Sequence, residues 1–292
     1  MTKPEIRVLT ASDGCRLHFR HWPAVGVKCL IVATHGIQSH SGWYEYSSCR
    51  LAAAGYEVYF ADRRGSGLNP ERRGHAEHGL RLISDLRQLI RLARREHPLD
   101  GGSRPLPLTL MGLSWGGKIA AATAAVAPQD LDRLVLLYPG LIPQLQPTHW
   151  QRIRLRLPRK LEMRHHAVEL PLQDPALFTA SREWQERIAR DPLALHEVTT
   201  GLLNAGRDLD LLIARYRDRM HHPTLLMLAG QDRIIDNSRT RALTASFGCR
   251  HLTMIVYPQA RHTLEFEQKR DRHIDDLIEW LNSRCGCSAE SA

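Results

Sequence analysis

The chain has 292 residues, 43% of them hydrophobic and 24% charged, which is enough to bury one substantial core in a globular fold. No apolar run approaches the length of a bilayer span, and the opening MTKPEIRVLT lacks an apolar leader, so the expected compartment is the cytoplasm. The formal net charge of +9 is mostly interleaved with acids, as on solvated helix faces, and only five of the forty basic residues are lysines, a bias that a GC-rich genome produces; no nucleic-acid partner is expected. The six cysteines (Cys15, Cys29, Cys49, Cys249, Cys285 and Cys287) lack metal-ligand spacing and are read as thiols, and neither a metal nor a cofactor is expected.

In chain order, IRVLTASDGCRLHFRHW reads as two strands around an Asp13-Gly14 turn. Strands and helices then alternate. CLIVATHG is a buried strand closing on a glycine turn, YEYSSCRLAAAG a helix stopped by Gly55, and YEVYFAD the next strand. In GLRLISDLRQLIRLARREH, Leu82, Leu86, Leu89, Ile90 and Ala93 recur at helical spacing before Pro98. LPLTLMG is a strand running into an alanine-rich helix, and LDRLVLLYPG is a further strand. The last part repeats the rhythm with strand PTLLMLAG, a helix from about Ser238 to Phe247, strand HLTMIVYP, and a closing helix carrying Ile274, Leu277, Ile278 and Leu281.

Between Leu141 and His222 no buried strand is expected. Asp191-Pro192 has the form of a helix start, Asp as cap and Pro in the first turn, followed by Leu195, Val198 and Leu202 and later by Leu209, Leu212, Ile213 and Tyr216. The expected architecture is α/β: a mostly parallel sheet with helices on both faces, built from residues 1–140 and 223–292, with a helical insertion at 141–222. In such a sheet, sites form at the carboxyl ends of strands.

Gly112-Leu113-Ser114-Trp115-Gly116 stands where a strand becomes a helix. A serine on a sharp turn of this kind projects its hydroxyl above the sheet, and the crowding requires small residues two before and two after it. The spacing alone would arise by chance on the order of once in ten chains of this size, so its partners decide the matter. A nucleophilic serine needs a base, and the base needs an acid to orient it. In this fold the order is serine, acid after a later strand, histidine after the last strand. Asp232 follows TLLMLAG, and His262 follows LTMIVYP. Asp236, one helical turn beyond Asp232, is read as the cap of the next helix. Two backbone N–H groups should face the developing oxyanion: that of Trp115, at the start of a helix, and that of Ile37, in the loop HGIQSHSGWYE. His35 precedes the serine and is read as shaping that loop.

Together THGIQSHSGWYE, ADRRGSGLN, GLSWGG, AGQDRIID and ARHTLEFE resemble the α/β-hydrolase superfamily, in its monoacylglycerol lipase and lysophospholipase branch, which is also grouped with serine aminopeptidase-like sequences. The resemblance runs from about Ile6 to Leu281 and is weak across the insertion, which it implies is a cap over the active site. It implies a catalytic triad of Ser114, Asp232 and His262, oxyanion donors at Ile37 and Trp115, and a structural turn at Asp62, Gly65 and Gly67. The chain departs from the family at Gln38, where glycine is common, and at Trp115, where a small or different residue is common. Neither change removes a backbone N–H.

The leading expectation is a serine ester hydrolase acting on monoacylglycerol- or lysophospholipid-like substrates through an acyl-enzyme. The alternatives are an amidase or aminopeptidase with the same triad, which would need Glu162, Glu169 or Asp174 turned inward to hold an amine, and a binding protein that keeps the fold without chemistry. One basic stretch, HWQRIRLRLPRKLEMRHH, sets Trp150, Ile153, Leu157 and Leu161 at helical spacing among arginines. A packed cap element with a solvated basic face is the stronger reading, because Pro158 interrupts the stripe; peripheral contact with an anionic membrane through the cap is the weaker one.

Overall fold

The computed structural model describes residues 3–98, 105–144 and 164–285. Its strands are β1 (Glu5–Thr10), β2 (Arg16–Trp22), β3 (Cys29–Thr34), β4 (Tyr56–Ala61), β5 (Leu108–Leu113), β6 (Arg133–Leu137), β7 (Ala167–Glu169), β8 (Glu197–Thr199), β9 (Thr224–Ala229) and β10 (Leu252–Tyr257). Eight of them form one sheet in the order β1-β2-β4-β3-β5-β6-β9-β10. β1 and β2 pair antiparallel across the expected turn, where Gly14 takes φ +81°, and β2 is antiparallel to β4; the other pairings are parallel.

The helices are α1 (Glu45–Ala53), α2 (Gly79–Glu96), α3 (Trp115–Val126), α4 (Arg182–Ala189), α5 (Thr200–Tyr216), α6 (Asn237–Ala245) and α7 (Arg270–Cys285). β3, β5, β6 and β9 are buried along their whole length, as strands covered on both faces must be. α1 packs on α7 and α2 on α3. The apolar stripe of α2 is buried at Leu82, Leu86, Leu89, Ile90 and Ala93, the positions that its periodicity marks. No disulfide joins Cys15, Cys29, Cys49 or Cys249.

Between β6 and β9, where a helical insertion with no buried strand is expected, the structure adds a short strand pair to the helices. β7 and β8 form a small antiparallel pair in which Val168 faces Val198, and both strands are short and largely exposed. No helix starts at Asp191-Pro192. Asp191 instead makes a turn, its Oδ1 accepting from Leu193 N at 2.9 Å, and its Oδ2 is held by side chains of the core. Pairing of 197–199 with 167–169 delays the helix to Thr200, where the Thr199 hydroxyl caps it by accepting from Leu202 N at 3.3 Å. Leu202, Leu209 and Ile213 are then buried on one stripe, while Leu195 and Val198 are buried ahead of the helix. Of the basic stretch, Trp150 through Leu161, including Ile153, Leu157 and Pro158, lies outside the described residues, as does Glu162. Among the described residues no helix is long and apolar enough to cross a membrane.

The β5–α3 junction is where packing is tightest. A Cβ on Gly112 would stand 2.6 Å from Gly117 Cα and 2.7 Å from the Cβ of Ala120, and one on Gly116 would stand 2.4 Å from Thr34 O and 2.6 Å from His35 O. Both glycines are therefore required so that α3 can start against the end of β3. Gly116→Ala should lower stability by roughly 1–3 kcal/mol through overpacking, despite the better helix propensity of alanine. A urea midpoint equal to that of the wild type would show that α3 can back away from β3.

Candidate active site

Ser114 follows the last residue of β5 and adopts φ +50° and ψ −127°, a conformation rarely accessible to a residue with a side chain, which costs about 1–3 kcal/mol. The surrounding backbone holds it there. Ser114 N donates to Leu137 O at 3.0 Å, and Ser114 O accepts from Gly117 N at 2.8 Å and from Gly140 N at 2.5 Å. With the backbone so held, the hydroxyl projects beyond the carboxyl end of the sheet.

Two loops from later strands meet it. Asp232 lies just past β9 and His262 past β10, and the loops are tied together by the bond from Gln231 N to Ala260 O at 2.8 Å. Ser114 Oγ donates to His262 Nε2 at 2.8 Å, and His262 Nδ1 donates to Asp232 Oδ2 at 2.8 Å. The other carboxylate oxygen, Asp232 Oδ1, accepts from the amides of Ile234 and Ile235 at 2.8 and 3.0 Å. The His262 and Asp232 side chains are 1% and 0% exposed. Asp236 plays the other part foreseen for it, capping α6 with Oδ1 accepting from Arg239 N at 2.9 Å.

The loop after β3 closes the far side. A Cβ on Gly36 would lie 3.1 Å from Ser114 Cβ, so the Gly36–Ile37 peptide passes directly beside the serine. Trp115 is the first residue of α3, where backbone N–H groups have no partner within the helix. Among the described residues, no carbonyl accepts from the Ile37 or Trp115 amide outside the regular elements. His35 is fully buried behind this loop, with Nδ1 bonded to Gly36 O at 2.8 Å. Asp62 has the structural part implied for it: Oδ1 accepts from Ser41 N and Oδ2 from Leu68 N. Gly67, at φ +53°, passes so close that a Cβ would meet Asp62 Oδ2 at 2.3 Å.

A narrow cavity adjoins Ser114 and His262, walled by Gln38, Trp43 and Ile234 from the core and by Leu172 and Phe178 from the segment between β6 and β9. Phe178 and Tyr138 present ring edges to His262 at centroid distances of 6.0 and 4.9 Å. Gln38, buried to 3% exposure, narrows this cavity as its side chain suggests, and its carbonyl receives Leu195 N at 2.9 Å. The Trp115 ring turns away from the serine toward Gly206 of α5. Glu169 and Asp174 are exposed, and Asp174 caps a short turn by accepting from Ala176 N at 2.9 Å; neither is turned toward the cavity. Sequence reasoning missed Arg63, Trp43 and Phe178. An arginine just past a strand ordinarily points to water, and nothing local to two aromatics marks them as walls of one cavity.

Comparison with known proteins gives the family and the fold. Residues 26–269 match the family model described as serine aminopeptidase, S33. The chain belongs to this family. It is 25% identical to the monoacylglycerol lipase of Mycolicibacterium smegmatis over 278 residues, covering 92% of this chain and 94% of the relative. Its fold matches the crystal structure of Paleococcus ferrophilus monoacylglycerol lipase with TM-score 0.78 at 23% identity, covering 91% of this chain and 98% of that one. It also matches a soluble variant of Saccharomyces cerevisiae monoglyceride lipase in complex with a substrate analogue, with TM-score 0.83 at 20% identity over 97% and 96% of the two chains. The α/β-hydrolase fold and the monoacylglycerol lipase-like branch are thus those the motifs resemble.

Three residues past His262, Glu265 is buried at 2% exposure and accepts from Ser47 N at 3.0 Å. Burial pushes its carboxyl up to about 7, with the Ser47 amide opposing. The native state therefore holds a proton there that the unfolded chain, titrating near the ordinary glutamate value, releases earlier. This contribution to stability is present at low pH and is lost as pH rises from about 4.5 through 7. Glu265→Gln should gain stability over the wild type across that window, by up to a few kcal/mol at about 1.4 per unit, and the gain should be flat above it. Urea melts of the two proteins from pH 4.5 to 8.5 measure it; a difference independent of pH would place Glu265 outside this account.

Proposed function

We propose that this chain is a serine ester hydrolase that cleaves small carboxylic esters, monoacylglycerol- or lysophospholipid-like in type, through an acyl-enzyme formed on Ser114 beneath a cap of residues 141–222. The observation that carries the reading is the relay from Ser114 Oγ through His262 to Asp232, with both links at 2.8 Å and the second carboxylate oxygen occupied by two amides. Its chemistry follows from the geometry. His262 Nε2 takes the Ser114 proton as Oγ attacks the ester carbonyl, and Asp232 stabilises the imidazolium that results. The N–H groups of Ile37 and Trp115 receive the oxyanion. His262 then returns the proton to the departing alcohol, and a water activated by the same imidazole releases the acid. Neither step requires a cofactor.

The exposed positions of Glu169 and Asp174 favour an ester over an amino-terminal peptide, since neither is turned toward the cavity to hold an ammonium group. The complete relay favours an enzyme over a binding protein. As it stands the cavity has room for little more than a water, so even a short acyl group displaces its walls slightly. A long acyl chain requires Leu172 and Phe178 to move aside.

Ser114→Ala should abolish fluorophosphonate labelling and reduce hydrolysis by a thousandfold or more while the protein remains folded. Near-wild-type turnover would sink the reading. Asp232→Asn should lower kcat by about 10⁴, while Asp236→Asn should cost only helix-cap stability; the reverse outcome would transfer the acid role to Asp236. Across 4-nitrophenyl esters, kcat/KM should fall beyond short acyl chains, and Phe178→Ala should shift the preference toward longer ones. A flat chain-length profile in both proteins would show that these walls do not set acyl size.

A further inference from the structure

The peptide beside the nucleophile is held from behind by a buried cation. Arg63 follows Asp62 after β4 and is 5% exposed. Its Nη1 donates to Gly36 O and its Nη2 to Ile37 O, each at 2.9 Å. The guanidinium carbon lies 5.0 Å from the centroid of the Trp115 ring. One side chain thus touches both segments that supply the proposed oxyanion donors. Asp62 forms no direct bond to this guanidinium among the described residues; its oxygens accept from the Ser41 and Leu68 amides at 2.7 and 2.8 Å, and Oδ2 lies 3.6 Å from Arg20 Nη1.

His35 completes the arrangement. Its Nε2 accepts from Arg63 N at 3.0 Å, so its Nδ1 carries the proton that it donates to Gly36 O at 2.8 Å. Burial, with the charge of Arg63 beside it, pushes this imidazole down to about 3, and the ring is neutral at any working pH. The Gly36 carbonyl therefore receives two donors.

That carbonyl and the Ile37 N–H belong to the same trans peptide, in which C=O and N–H point in opposite directions. Fixing the oxygen from one side fixes the aim of the N–H on the other. A charged donor on the oxygen also polarises the peptide, making its N–H a stronger donor. Burial pulls Arg63 down to about 9, against the pull of Asp62, so it remains charged at neutral pH. Its charge is answered by two carbonyls and an indole face, in a place where a developing anion would add to the balance.

We propose that Arg63 is a positioning residue of the reaction: its guanidinium aligns and polarises the Gly36–Ile37 peptide toward the oxyanion and braces Trp115, whose own N–H is the second donor. The proposal rests on the serine-hydrolase reading. Arg63→Lys is the informative substitution, since an ammonium keeps the charge but cannot present two parallel donors or a flat face to the ring.

The wild type and Arg63→Lys are compared with a short 4-nitrophenyl ester and with an alkylboronic acid, whose tetrahedral adduct on a serine sets an oxygen where the oxyanion forms. The expected result is a fall in kcat of about 10²-fold with KM nearly unchanged. Boronate affinity should fall by the same factor as kcat/KM, while the circular dichroism spectrum stays that of the folded protein. A folded Arg63→Lys with wild-type kcat and boronate affinity, or a loss confined to KM, overturns the proposal. Should that variant not fold, Trp115→Leu removes only the braced ring: a few-fold parallel loss in kcat and boronate affinity supports the proposal, and no loss overturns it. Fluorophosphonate labelling and ester turnover of the wild type, measured on the same preparation, test the hydrolase reading separately. A wild type lacking both defeats that reading, whereas an active wild type beside an equally active Arg63→Lys defeats only this one.

Discussion

The contact between the start of α3 and the end of β3 sets the position of every other group at the site. Gly116 lies against Thr34 O and His35 O with no room for a methyl group, which brings the first turn of α3 and the Gly36–Ile37 loop together beside one serine. Ser114 in turn sits at a positive φ that its neighbours over-determine: its amide is bonded across to β6, and its carbonyl accepts from both Gly117 and Gly140. Strain of this kind persists only where surrounding packing enforces it. The projection of the Ser114 hydroxyl is thus a property of sheet and helix packing, and the loops bearing His262 and Asp232 need only reach a point already fixed.

Electrostatics follows the same economy of backbone partners. The buried polar side chains near the site lean on peptide groups, Asp62 and Asp232 on amides as well as on Arg20 and His262, and Arg63 on carbonyls. A peptide held in a regular scaffold cannot reorient as a side chain or water would. Charge that develops during a reaction then meets dipoles already in place, which is the condition under which such donors are most effective.

Much of this was legible in the sequence because it depends on local rules. Gly112 and Gly116 announce a crowded turn, Asp232 and His262 occupy the ends of strands whose apolar runs are unmistakable, and Asp236 stands where a helix needs a cap. The segment between β6 and β9 was less legible because its structure is decided by distant partners. Asp191-Pro192 obeys every local rule for a helix start, yet its carboxylate is taken up by His40 at 2.8 Å and Trp43 at 2.5 Å, and pairing of β8 with β7 overrides the rest. Arg63 was hidden for a related reason. Its neighbour Arg64 pairs with Asp85 on α2, and nothing in the string ADRRGSGLN says which of the two arginines turns toward the loop after β3.

The same distant partners join the site to what covers it. Asp191, between α4 and β8, accepts hydrogen bonds from His40 and Trp43, and Trp43 is also a wall of the cavity beside Ser114. Burial alone would raise the Asp191 carboxyl, but the bonds from His40 and Trp43 outweigh it and hold the group down to about 2, so it is ionised wherever the protein is expected to work. The Trp43 ring meets Phe178 at 5.9 Å and Phe266 at 5.3 Å, and Phe178 in turn faces His262. Movement of the covering segment would therefore disturb an aromatic chain that ends on His262, the proposed base. On the proposed function, admission of substrate and placement of His262 are coupled through packed rings, and the size of the acyl group becomes a matter for the covering segment as much as for the cavity it closes.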